Sequence, residues 1–324
     1  MTEGGKSDGN HICRQESEKR NPCIRPGFAT YVLGETEAEF RRLEMQSAFI
    51  RDLTEDVLKR AGLRPGMRVL DIGCGVGDVA LLAGELVGPT GSVLGVDRSA
   101  ASIKTAERRV AQARQHARIR LAVADLDSFV PDETFDAVVG RLVLMYLPDP
   151  AATLRRLAGH LRPGGIVVFQ ELSMPSIRSV PDTPQFLQCK SWIMETFERT
   201  GFETDMGGKL FATFLTAGLP GPQMISAGRA EGGHRSLIYA YMAATMQSLL
   251  SAMERAGVTT ADEVGIDDLA ERLLFMAYGF IEQLPPIFLL HAILLPINVV
   301  RLIQVRNPGL LRKSRMIFHG EQRR

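Results

Sequence analysis

The 324-residue chain has a single tryptophan, six histidines and four cysteines. Cys13, Cys23, Cys74 and Cys189 form no C-x-x-C pair, and no cysteine stands with histidines at zinc-ligand spacing. That excludes the usual metal signatures and a disulfide framework, so no metal is expected and reduced thiols are. Charge of one sign is also lacking: 38 Lys and Arg face 37 Asp and Glu, a formal net charge of +1. No global field therefore favours nucleic acid or an anionic membrane, and no nucleic-acid partner is expected. The first residues are polar, without an apolar signal core, and the expectation is a cytoplasmic protein. The run from Gln283 to Val300 has no charged residue, but it is interrupted by Pro285, Pro286 and Pro296 and falls short of a span, so no membrane helix is expected.

What is present is alternation of two periods. Residues 1–30 read as a disordered tail. Thr36 and Glu39 have capping-box spacing before a helix carrying Phe40, Leu43, Ile50 and Val57, as one helix or two. Short apolar runs at Val69–Ile72, Val93–Val96, Ile119–Val123, Phe135–Val139 and Ile166–Phe169 read as buried strands. Between them lie helical stretches: Val79–Val87, a Ser99-capped helix with Ile103, Ala106 and Val110, and an Asp149-Pro150 start followed by Leu154, Leu157 and Leu161. Strands alternating with helices predict an α/β, Rossmann-like, mainly parallel sheet, with the ligand crevice at the carboxyl ends of its strands. Beyond Glu171 the pattern is mostly helical. Helices are expected after Thr183-Pro184, over Leu210–Ala217, Leu237–Met253 and Ala261–Phe275, with a late strand at Gln223–Ala227.

The chemistry concentrates at strand ends. Val69-Leu70-Asp71-Ile72-Gly73-Cys74-Gly75-Val76-Gly77 runs a strand into a glycine turn and a helix, which lets backbone approach a ligand closely. A dinucleotide fingerprint wants a small sixth residue, but here Asp78 stands there and opposes a diphosphate. Asp97 follows the second strand at the distance where an acid meets ribose hydroxyls. Asp125 follows the third and could accept from an exocyclic amine, with the Leu126 N–H on a ring nitrogen. Plainer uses stand beside these: Asp97 as a helix cap, Asp125 as a turn residue, Arg141 in an ion pair, Tyr146 as packing.

The string VLDIGCGVGD, GVDRS, VADLD, FDAVVGRLVLMYLPDP and LRPGG resembles a class I S-adenosylmethionine-dependent methyltransferase. Tyr31-Val32-Leu33-Gly34 with Glu39, Arg42, Leu43 and Gln46 resembles a subgroup of bacterial small-molecule enzymes of that class. The resemblance implies a seven-stranded sheet with helical lid insertions near 174–218 and 234–282, inside a domain over 31–292. It implies S-adenosylmethionine as cofactor. The glycine loop of Gly73, Cys74, Gly75 and Gly77 would surround the methionine moiety, with Asp97 on the ribose and Asp125 and Leu126 on the adenine; Asp71 and Arg98 are further cofactor-binding candidates. Gly140 and Arg141 would lie beside the methyl end, with Tyr31 and Gln46 closing over the cofactor. Met224–Ala227 fits the sixth strand and Leu284–Ile287 the opening of the seventh; residues 293–324 replace the ending of the subgroup by a hydrophobic and basic tail. Arg141, Tyr146 and His234 are the catalytic candidates, and the oligomeric state is left open. The expected reaction is methyl transfer to a small molecule by in-line displacement, driven by proximity and desolvation. Rival readings are a non-catalytic S-adenosylmethionine-binding protein, an NAD(P)-dependent oxidoreductase and an RNA methyltransferase.

Overall fold

A computed structural model describes residues 33–34, 36–113, 117–180, 182–233 and 236–273. Tyr31, His234, Cys13, Cys23, the seventh-strand segment and the tail after 293 lie outside them. Five strands make one sheet: β1 (Arg68–Ile72), β2 (Ser92–Asp97), β3 (Arg118–Val123), β4 (Phe135–Arg141) and β5 (Leu161–Gln170). Their order is β3-β2-β1-β4-β5, and each neighbouring pair is parallel. The chain therefore reverses its direction of winding between β1 and β4. A switch point of that kind leaves a crevice at the carboxyl end of the first strand.

The crossovers follow from local chemistry. Helix α1 (Glu37–Arg60) is one continuous helix, and its Thr36 side chain accepts from the Glu39 N–H. Helix α2 (Asp78–Val87) starts from Gly77 in the left-handed region. Ser99 caps α3 (Ala100–Gln112) and Asp149 caps α4 (Pro150–Ala158). The residues of β1 after Arg68 are all buried, as a strand covered on both faces requires. One cluster of apolar residues, including Val69, Leu82 and Val93, fills the side under α2; a larger one, from Leu70 to Leu273, joins the sheet to the later helices.

Four expectations change. Leu161 belongs to β5, not to the end of a helix. Phe135 pairs with Leu161 and Ala137 with Ile166, so Arg162-Pro163-Gly164-Gly165 forms a bulge inside the strand. Met224–Ala227 has no strand partner among the described residues, and Met224 and Ile225 are about half exposed, so the sixth strand is not formed there. The helix expected from Leu210 begins earlier, as α6 (Met206–Thr216), because Asp205 accepts from the Gly208 N–H. The helix expected from Ala261 is interrupted: α8 (Ala261–Val264) ends where Gly265 turns left-handed before a 3₁₀ turn, Ile266–Asp268, and helix resumes over 269–273. Helices α5 (Pro184–Arg199) and α7 (Ile238–Arg255) stand where the sequence predicts helices. No helix of the described residues is long and apolar enough to cross a membrane.

Candidate functional site

A cavity of about 440 Å³ opens at the switch point. Its floor is the glycine turn, its rim the tips of β2 and β3, and its roof α1 and α7. Each glycine of the turn has a separate reason. Gly73 (φ +62°) faces Val143, and a Cβ there would stand 2.3 Å from Val143 Cγ2. Gly75 (φ +51°) lines the cavity, where a Cβ would meet nothing within 4 Å. Gly77 lets α2 pack on α3, since a Cβ would sit 3.1 Å from that of Ala106. Cys74 lines the cavity, and burial pushes its thiol well above the ordinary range.

The carboxylates at the strand ends differ sharply. Asp97 lines the cavity; one oxygen accepts from the Gly75 N–H and the other from the Ser99 N–H, both at 2.9 Å. These bonds orient the carboxylate at the tip of β2. Asp125 and Leu126 also line the cavity, and Asp125 accepts from the Asp127 N–H at 3.0 Å. Arg98 stands exposed on the rim. Asp71 is buried beneath the turn, outside the cavity wall, with neither carboxylate oxygen hydrogen-bonded in the described residues. Burial raises its pKa well above the ordinary range, opposed chiefly by Arg141.

Asp78 does not present a bare charge. Arg109 lies 2.6 Å from one of its oxygens and Arg141 3.5 Å from the other. The repulsion of a diphosphate argued from its position is therefore largely neutralised. Gly140 is not part of the wall. A Cβ there would stand 2.5 Å from Phe169 Cε1, so this glycine serves packing between β4 and β5. Gly77 too is absent from the wall. Arg141 does line it, and its Nη1 donates to Thr54 Oγ1 at 3.3 Å. An arginine so engaged is no base; it is a fixed cation at the β4 tip.

The roof holds residues to which the sequence pattern gives little weight. Arg42 grips Glu39 with two bonds of 2.7 Å and donates to Gln46 Oε1 at 2.7 Å. Tyr241 of α7 donates to the same Gln46 oxygen at 3.0 Å and accepts from Arg42 at 3.2 Å. Arg42, Gln46 and Tyr241 all line the cavity. Tyr241 has no sequence signal, because nothing in its own segment, an ordinary apolar helix, marks a tyrosine out as polar. The far wall is apolar, with Leu142, Met145, Leu172, Ile193, Phe197 and Met242. Tyr146 lies on this wall and packs on Phe202 and Phe197, with ring centroids 5.2 and 6.1 Å away. Among the described lining residues there is neither histidine nor lysine.

Residues 63–209 match the family described as a methyltransferase domain. The demethylmenaquinone methyltransferase of Geobacillus kaustophilus is 33% identical over 149 residues, 45% of this chain and 63% of that protein. The one of Halalkalibacterium halodurans is 36% identical over 124 residues, 38% of this chain and 50% of that protein. The chain thus spans half to under two-thirds of the length of these curated relatives. Among solved structures, an S-adenosylmethionine-dependent methyltransferase from Aquifex aeolicus aligns with a TM-score of 0.38 at 18% identity, covering 56% of this chain and 85% of that one.

Proposed function

We propose that the chain, whose residues 63–209 match a methyltransferase domain, uses S-adenosylmethionine to methylate an apolar small molecule held against the wall of the switch-point cavity. One observation carries the reading: a single cavity has carboxylates at the tips of β2 and β3, an open glycine at β1 and an apolar wall opposite. The donor set fits the cofactor. Asp97 would take the ribose hydroxyls, Asp125 and Leu126 the adenine edge, and Gly75 leaves room where any side chain would fill the cradle. Arg141, fixed by Asp78 and Thr54, suits the methionine carboxylate. Tyr31 and His234 keep their proposed parts as cofactor cover and base from the sequence alone.

Bound there, S-adenosylmethionine would supply a methyl group on a cationic sulfur that leaves as a neutral thioether. The chain then has two tasks. The roof of Arg42, Gln46 and Tyr241 and the wall of Met145, Tyr146 and Phe197 exclude water and align the acceptor. Such alignment is worth about 7–11 kcal/mol of barrier in favourable cases. Among the described lining residues there is no histidine or lysine, so any base would be His234, proposed from the sequence. Demethylmenaquinone, the compound named for the relatives, is apolar, as that wall is. The proposed location is the cytoplasm.

Calorimetric titration of the full chain with S-adenosylhomocysteine and with NAD tests this. The expected result is one site for the first, silence for the second, and binding weakened at least about tenfold in Asp97→Ala, the cost of losing a charge-assisted bond pair. Tight NAD binding with silence toward S-adenosylhomocysteine overturns the reading.

A further inference from the structure

One buried acid near the cavity has no part in the mechanism above. Glu171 directly follows β5. Its Oε1 accepts from the Val143 N–H at 3.0 Å and the Leu144 N–H at 2.8 Å, while its Oε2 is buried without a hydrogen-bond partner among the described residues. The segment it holds is strained. Leu142 (φ +53°) is the only non-glycine residue with positive φ among those described. A side chain in that region costs on the order of 1–2 kcal/mol, and it persists only where surrounding contacts over-determine it. Here they come from one place: Gln170 O accepts from the Leu142 N–H at 2.9 Å, and Glu171 takes the next two amides.

The residues after Leu142 serve both halves of the cavity. The Val143 side chain occupies the space that Gly73 leaves open, so it sets the glycine turn. Met145 and Tyr146, in the 3₁₀ turn Leu144–Tyr146 that begins at the second bonded amide, face the acceptor space. We propose that Glu171 is a positioning residue: its carboxylate locks the 142–148 loop, and through Val143 and Tyr146 sets the cofactor turn and the acceptor wall together. The proposal rests on the methyl-transfer reading of the cavity for its functional meaning.

A neutral amide would satisfy both N–H groups without burying a charge, which is what makes a carboxylate here informative. Burial pushes Glu171 up to about 7, with the three backbone amides of residues 143 to 145 pulling the other way. The charged groups on the elements around it are otherwise occupied. Arg141 on β4 faces Asp78 and Thr54; on the side of α6, Glu203 holds Lys209 and Asp205 caps Gly208. Protonation therefore weakens two charge-assisted bonds with no neighbour to compensate, and the lock loosens as pH falls through the neutral range.

The test compares wild type, Glu171→Gln and Glu171→Leu as full chains. Hydrogen exchange of the 142–148 amides, corrected for intrinsic rates, is followed without ligand from about pH 6 to 8.5, the window that brackets the titration. The wild type loses protection severalfold on the acid side relative to Glu171→Gln, which keeps an acceptor oxygen and cannot titrate. Glu171→Leu loses protection in this loop at every pH. Superimposable wild-type and Gln profiles, or an undisturbed loop in the Leu variant, overturn the lock; the Gln comparison stands even if the Leu variant does not fold. S-adenosylhomocysteine affinity then reads the coupling: about tenfold weaker in Glu171→Leu and near wild type in Glu171→Gln at pH 8, as two stranded amides imply. A Leu variant that binds like wild type overturns the coupling. Wild type that binds nothing, with the loop result intact, sinks the methyl-transfer reading instead.

Discussion

Glycine is demanded at Gly73 and Gly75 by different forces, and substitution separates them. In Gly73→Ala the new Cβ would stand 2.3 Å from Val143 Cγ2 at φ +62°. Both clash and backbone strain apply, and chemical denaturation is expected to show a loss of about 2–4 kcal/mol. In Gly75→Ala there is no clash, so only strain of about 1 kcal/mol is lost. The new methyl group then projects into the cavity, and S-adenosylhomocysteine binding should fall far more than stability does. Equal behaviour of the two variants would show that the turn is merely a connector. At this scale the sequence was informative about which residues gather, and less so about what each one does. Asp97, Asp125, Gly75, Arg98 and Arg141 meet in one cavity because strand tips converge. Gly140, Gly77 and Asp71 share the motif's spacing but face packing or the interior. Spacing reports position along the chain, whereas the direction of a side chain depends on neighbours that come from distant elements.

Helices α1 and α7 show the same limit among elements. The periodicity of each was legible, yet their union depends on Gln46 Oε1 receiving both Arg42 and Tyr241, residues almost two hundred positions apart. Tyr241→Phe removes that hydroxyl while keeping the ring that stacks on Phe49 at 6.0 Å. A loss of about 1 kcal/mol in stability is expected, the usual worth of one such bond. Faster amide exchange should be confined to the start of α7; exchange that rises throughout the molecule would mean that the hydroxyl is not a local latch. The strands were the most legible elements, because a sheet covered on both faces leaves uninterrupted apolar runs. The errors fall where local chemistry outweighs pattern. Pro163 and two glycines make a bulge inside β5, Asp205 starts α6 ahead of its apolar stripe, and Gly265 interrupts a helix that resumes at 269. Met224–Ala227 is apolar enough for a strand but finds no partner among the described residues.

Across the whole molecule, two buried acids tie stability to pH. Glu171 is pushed up from 4.5 to about 7, and Asp71 is raised as well, both chiefly by burial. Between pH 4.5 and 7 the folded state keeps a proton on Glu171 that the unfolded chain has released. Its contribution is therefore present on the acid side and lost as pH climbs through that window, by on the order of 3 kcal/mol in all. Glu171→Gln removes the titration, so the variant should melt above wild type at pH 8 and approach it near pH 5. A constant difference across that range would contradict the assignment. Tighter holding of the loop at high pH thus coincides with lower global stability, a trade expected where a charged group is kept inside for function.

The central claim is that the crevice between β1 and β4 is built for an adenosyl ligand whose sulfur faces the apolar wall. A crystal structure of the full chain with S-adenosylhomocysteine measures this directly. The account predicts both ribose hydroxyls on Asp97, the adenine beside Asp125 and Leu126, and the sulfur turned toward Met145 and Tyr146. A nucleoside lodged elsewhere, or a sulfur facing the glycine turn with the apolar wall out of reach, would contradict it.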